Sequence, residues 1–198
     1  MTSVQEVLRD VGIEIEDGRD RPSLRGELAR LAAVVRARGV RTLGVLPAND
    51  EVAVPAPALA LGRALADGSM QPIGVVDALG SWPCARALAA RAPPDGTPMV
   101  TSWILEGLAL LTPRTTDPAN PAGLSVLRGA VADRLDAFGH LVLDLTGLDH
   151  LGEHLAAFDL LDAVILVARS GHTTTRQVSR RLREIPERSA LGVLLTGL

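Results

Sequence analysis

No lysine occurs in these 198 residues: all 20 basic side chains are arginine. Any mechanism that depends on a lysine is excluded. Tyrosine is absent too, and only two tryptophans and two phenylalanines are present. A single cysteine, Cys84, rules out an internal disulfide and suits a reducing cytoplasm. The opening residues, MTSVQEVLRD, carry no basic-then-apolar leader. The longest apolar run, Val52–Gly62, is too short to cross a bilayer and is interrupted by Pro55 and Pro57. A net charge of -3 argues against bulk nucleic-acid binding.

What is present is globular. The chain is 47% apolar and 22% charged, and its length suits one domain with a sizeable core. Residues 1–20 read as an N-terminal extension, a short helical stretch followed by the acidic IEIEDGRD, and residues 21–198 as a single domain. Leucines and valines at helical spacing (Leu24, Leu28, Leu31, Val34, Val35) predict a helix over Ser23–Arg38, closed by Gly39. Six short runs, apolar on both faces, predict strands at Thr42–Leu46, Pro72–Val76, Gly107–Leu111, His140–Leu145, Ala163–Ala168 and Leu191–Leu195. Helices fit between them at 56–67, 82–91, 121–137, 151–160 and 173–184, with an extra edge strand around Met99–Ile104. This alternation predicts an α/β fold, a mostly parallel sheet sandwiched between helices.

Ligands of such sheets bind beyond the carboxyl ends of the strands. The first strand runs through GVLPANDEVAVPAPALALGRALA into a helix. That is the frame of a phosphate-binding loop without its contents: no glycine follows the strand, and two acids and two prolines stand in the loop and first helical turn. The second strand, in IGVVDALGSWP, ends in Asp77, and the fourth, in HLVLDLTGLDH, ends in Asp144.

These strand ends, in this order and spacing over residues 23–198, resemble the deviant-Walker ATPases of the MinD/ParA class. Within that class they resemble the bacterial tyrosine kinases of polysaccharide export. IGVVDALGSWP resembles the strand ending in Asp-x-Asp. FGHLVLDLTGLDHLGEHLAAFDLLDAVILVARSGHTTTRQV resembles the Walker B strand, its loop, and the strand with a threonine-rich turn. GLALLTPRTTDPANPAGLSVL resembles the strand that leads into a proline turn. The resemblance implies a P-loop NTPase-like fold of three layers. Set against the family's loop, Val54 occupies the lysine position and Pro55 the magnesium-ligating hydroxyl position, with Glu51 at its start. Prolines 55 and 57 delete two N–H donors from the first helical turn, where proline is otherwise tolerated. Asp50 and Glu51 suit the positive helix end and would repel a triphosphate. Asp77 and Asp144 match the family's two Walker aspartates, but Leu79 replaces the second aspartate of the strand and Ser81 or Trp82 the following arginine. The family's base-reading asparagine is Thr196, and the tyrosine-rich tail that the kinases phosphorylate has no counterpart here.

Four other features stand out. His150-Leu-Gly-Glu153-His154 matches an inverted zincin motif, but Gly152 weakens the helix it needs, and an exposed loop is the simpler reading. Arg176, Arg180 and Arg183 share one face of a helix and offer a surface to an acidic partner, against the plainer reading of a solvated face balanced by Glu184 and Glu187. Glu27-x-x-Arg30 is part of a Glu-x-x-Arg-x-x-Arg oligomerisation pattern of the kinases, with Ala33 at its third place. With so few aromatics, Trp82 and Trp103 are candidate anchors for a partner.

The sequence therefore predicts a catalytically inactive MinD/ParA-like or kinase-like domain, a scaffold or regulator with no catalytic residue, metal or cofactor. Asp50, Glu51, Val54 and Pro55 mark the altered loop, Asp77 and Asp144 are relict aspartates, and Arg176, Arg180, Arg183 and Trp82 are partner-binding candidates. The expected partner is another protein, a catalytic paralogue or a membrane component of polysaccharide export, with a homodimer compatible. The expected place is the cytoplasm, with recruitment to the inner membrane by that partner. The alternative is an atypical active ATPase or kinase that binds ATP and magnesium through Asp77 and Asp144. A vacated cleft reused by another ligand is a third reading.

Overall fold

A computed structural model describes residues 22–92, 97–114, 124–148 and 150–197. The expected N-terminal extension, residues 1–20, lies outside these, as does most of the predicted proline turn before the helix at 124.

Among the described residues seven strands form one sheet: β1 (Thr42–Pro47), β2 (Ile73–Asp77), β3 (Met99–Leu105), β4 (Leu108–Pro113), β5 (His140–Asp144), β6 (Ala163–Arg169) and β7 (Ala190–Thr196), in the order β3-β4-β2-β5-β1-β6-β7. Every neighbouring pair is parallel except β3 and β4. β3 is the extra edge strand, and it returns as a hairpin because only Glu106 and Gly107 separate it from β4, too few for a parallel crossover.

The helices are α1 (Pro22–Ala37), α2 (Pro55–Ala66), α3 (Pro83–Ala89), α4 (Leu124–Arg134), α5 (His154–Ala157) and α6 (Thr175–Glu184). They make two layers. Leu28 and Val35 of α1, Leu61 and Leu65 of α2, and Ala85 of α3 pack with Leu43, Val45, Val75 and Ile165 on one face of the sheet. Leu127 of α4, Ala157 of α5 and Leu182 of α6 pack with Leu46, Val76, Leu143 and Leu166 on the other. Alternate residues of each central strand serve opposite cores, so these strands read as continuous apolar runs.

Two devices set the frame that carries the strand ends. Asp162 accepts from the backbone N–H groups of Arg41 and Thr42, at 2.8 and 2.9 Å, and its own N–H donates to Thr42 Oγ1 at 2.9 Å. This exchange locks the start of β1 to the start of β6. Gly62 lets α2 lie close on β2, because a Cβ there would stand 2.6 Å from Val75 Cγ2. No described helix is long and apolar enough to cross a membrane.

Candidate site at the strand ends

Asp77 and Asp144 close adjacent strands and stand opposite each other in register. Both are buried, at 1% and 3% exposure. Parallel pairing of β2 with β5 brings the two carboxylates together, and the loops that follow these two strands supply their donors. Asp77 accepts from the N–H groups of Ser81 and Trp82, each at 2.9 Å. Asp144 accepts from Thr146 N at 2.8 Å, Thr146 Oγ1 at 2.5 Å and the indole Nε1 of Trp82 at 2.7 Å. Trp82 thus donates to both aspartates, its backbone to one and its ring to the other.

The electrostatics follow from burial. Loss of hydration raises the Asp77 pKa from 3.8 to about 6, against the lowering effect of the Trp82 and Ser81 N–H bonds and with a further upward push from Asp144. Burial likewise raises Asp144, opposed by its bonds from Thr146 and Trp82. Two buried carboxyls side by side favour the protonated form of at least one.

The loop after β1 is held by its own groups and by β6. Ala48 N donates to Val167 O at 2.9 Å, Glu51 N to Asn49 Oδ1 at 3.1 Å and Val52 N to Asn49 O at 3.2 Å. Val52 and Val54 point into the core beside α2, in the cluster that contains Trp82. Val54 is the N-cap of α2, without a side-chain cap, and Pro55 begins the helix. An anion-binding nest alternates right- and left-handed residues. Residues 48–54 hold no glycine, and no described non-glycine residue has positive φ, so this loop forms no such nest. Three amides of this loop are thus taken, Pro55 and Pro57 carry no N–H, and both aspartates are withdrawn from solvent.

The other predicted residues disperse. Asp50 and Glu51 are exposed, and Asp50 lies 3.9 Å from His150 Nε2. The zincin-like residues face three ways. Gly152, with φ of 69°, breaks the helix, and α5 begins only at His154. Glu153 accepts from Leu124 N at the start of α4, at 2.8 Å, and His154 Nε2 stands 3.9 Å from Glu184 Oε2. Among the described residues no cluster of three His, Cys, Asp or Glu is placed to hold a metal ion. Thr196 turns its hydroxyl to Ala168 O at 3.3 Å.

On α6, Arg176, Arg180 and Arg183 are exposed on a helix opened by a capping box between Thr174 and Gln177. Arg181, of the same arginine cluster, is instead buried and bonded to Glu184 Oε2 at 2.8 Å. The tryptophans divide. Trp103 is exposed and stacks on Phe138, with ring centroids 6.1 Å apart. Trp82 is 2% exposed, so the expectation of a surface anchor there gives way to an internal strut. Its role as a donor to Asp144 was not read from the sequence. The available signal was an indole just past an aspartate-ended strand in a chain nearly free of aromatics.

No protein-family model matches the chain, and no curated protein sequence does. Solved structures match by shape. The kinase domain of VpsO superposes with a TM-score of 0.66 at 18% identity, over 89% of this chain and 95% of that one. The kinase domain of the Escherichia coli tyrosine kinase ETK gives 0.66 at 17% identity, over 88% and 74%. The BceF tyrosine kinase domain gives 0.62 at 14%, over 88% and 76%.

Proposed function

We propose, from the three-layer P-loop NTPase-like fold that this chain shares with bacterial tyrosine-kinase domains, that it is a nucleotide-free member of this architecture that acts as a scaffold or regulator through protein contacts. One observation carries the reading: Trp82 donates to both aspartates, its backbone N–H to Asp77 and its indole N–H to Asp144. In a working site of this kind those carboxylates must reach magnesium or the water around it. Here each is committed to an internal donor set and withdrawn from solvent.

The altered loop supports the same reading. A lysine is absent from the whole chain, and the position that resembles the family's lysine is a buried valine. The kept sheet then serves as a frame for surfaces, with the exposed arginines of α6 as the face offered to an acidic partner. A place beside a catalytic paralogue, or beside a membrane component of polysaccharide export that recruits this chain, fits the likeness to kinase domains.

The test is isothermal titration with magnesium ATP at millimolar concentration, alongside a thermal-shift scan. No heat of binding and an unchanged melting temperature are expected. A saturable response that scales with ligand concentration as linkage requires would overturn the proposal and favour an atypical active site built on Asp77 and Asp144.

A further inference from the structure

β7 ends the sheet on its side, and its outer edge has no strand neighbour among the described residues. Exposed edges are normally blunted by charge, proline or a cover. The sequence of β7, ALGVLLT, has neither charge nor proline. A register shift against β6, with Gly192 at φ of 145°, distorts only the start of the strand. Residues 193–196 then run regularly until Gly197, whose φ of 77° ends them.

The direction of the backbone follows from one bond. Thr196 O accepts from Ser170 N at 2.9 Å, on the side of β6. Strand alternation turns Leu194 the same way and presents the N–H and C=O of Val193 and Leu195 outward. The side chains of Val193 and Leu195 share one face of the sheet and are 39% and 51% exposed. On the other face Leu194 lines a groove between β7 and α1, with Leu31, Val34 and Leu191.

We propose that a second copy of this chain pairs with β7 along this edge, antiparallel, with the two-fold axis through Leu194. In that register Val193 of each copy stands opposite Leu195 of the other. Both pairs carry the outward backbone groups, so they exchange N–H···O bonds, and both exposed apolar side chains gain a cross-strand partner. Leu194 meets its own counterpart on the groove face. An axis through Val193 would set Leu191 against Leu195, which lie on opposite faces of the sheet across the distortion at Gly192. An axis through Leu195 would leave Val193 opposite Gly197.

The occupant is argued from this match. A strand that pairs here needs free N–H groups and apolar side chains to set against Val193 and Leu195, and β7 offers both itself. The groove rim carries one charge of each sign, Glu27 and Arg30, bonded at 3.1 Å, so the groove face sets no net rim charge against a copy, and Arg169 lies beside Gly197, past the paired residues. Two-fold pairing uses both edges and closes the assembly. The proposal goes beyond the nucleotide-free reading and does not depend on it.

Sedimentation velocity at tens of micromolar protein is the test, with circular dichroism as a check on folding. Wild type is expected at twice 20.8 kDa. Leu195→Lys, at an exposed position, is expected to halve that mass with the spectrum unchanged. Mild oxidation of Leu194→Cys is expected to give a covalent dimer, because opposed residues in a non-hydrogen-bonded antiparallel pair stand about 4.5 Å apart at Cα, within disulfide range. Val193→Cys, offset from its copy, should not cross-link. A monomeric wild type overturns the proposal and leaves the edge to a different chain or to residues beyond these. A dimer that survives a folded Leu195→Lys, or a Leu194→Cys that fails to cross-link, overturns it too. Should Leu195→Lys unfold, the cysteine pair decides.

Discussion

The indole N–H of Trp82 donates to Asp144 across 2.7 Å while the backbone N–H of the same residue donates to Asp77 across 2.9 Å. One residue therefore bridges the ends of two neighbouring strands, its side chain to one and its backbone to the other. Replacing it separates shape from hydrogen bonding. Trp82→Phe keeps most of the ring but leaves Asp144 short of a buried donor, and a loss of about 1–3 kcal/mol is expected in urea denaturation. Trp82→Ala adds a cavity and should lose about 3–5 kcal/mol. If Trp82→Phe is as stable as wild type, the bridge is ornamental.

The buried Asp77 gives stability an unusual direction with pH. Its folded pKa lies above its ordinary value of 3.8, at about 6. The folded state therefore holds this proton more tightly than the unfolded state does. The stability that Asp77 contributes is full below about pH 4 and is lost as pH rises through about 6, a swing of about 3 kcal/mol at most. Asp144 is shifted the same way. Asp77→Asn should flatten the slope in denaturation series taken across that window, with the Asp144 part remaining. Parallel curves for wild type and variant would contradict the assignment.

The exposed arginines of α6 are predicted to govern capture of an acidic partner. Arg176→Glu combined with Arg180→Glu reverses two exposed charges, and surface changes of this kind usually alter stability by about 0.5 kcal/mol or less. Partner recovery in pull-downs should fall in the double variant, most at low salt, because rim charges act on association. Equal recovery would make this face a solvated surface.

The start of α6 offers a smaller, local test. Thr174 accepts from Gln177 N, and Gln177 Oε1 accepts from Thr174 N at 2.8 Å, a reciprocal cap. Thr174→Ala should cost about 1 kcal/mol by thermal denaturation, and Thr174→Ser should restore most of it.

The central strands were legible because burial on two faces leaves an unmistakable apolar run, as in Ala163–Arg169. The hairpin edge Met99–Leu105 was legible in outline from its position beside a proline-rich stretch, and its antiparallel direction follows from the short turn at Gly107. Arg181 was harder to read. Its neighbours in the run Arg180–Arg183 suggest uniform exposure, yet it shares a helical face with Val178 and Ile185, and that period holds the burial signal. Asp77 and Asp144 were legible as strand ends, whereas their donors Ser81, Trp82 and Thr146 depend on loop geometry, which has no period to read.

The loop between β1 and α2 bears on the history open to this protein. Val54 is fully buried, and Pro55 fixes the first turn of the helix behind it. Installing lysine at 54 alone would place a charge in an apolar core and leave the loop without the glycines that bend it around a phosphate. Changing Pro55 alone gives a hydroxyl with no cation to hold. Each single step toward a phosphate-binding loop would cost stability and return no binding, so on the nucleotide-free reading proposed above, selection on this chain acts on its surfaces far more readily than on this loop.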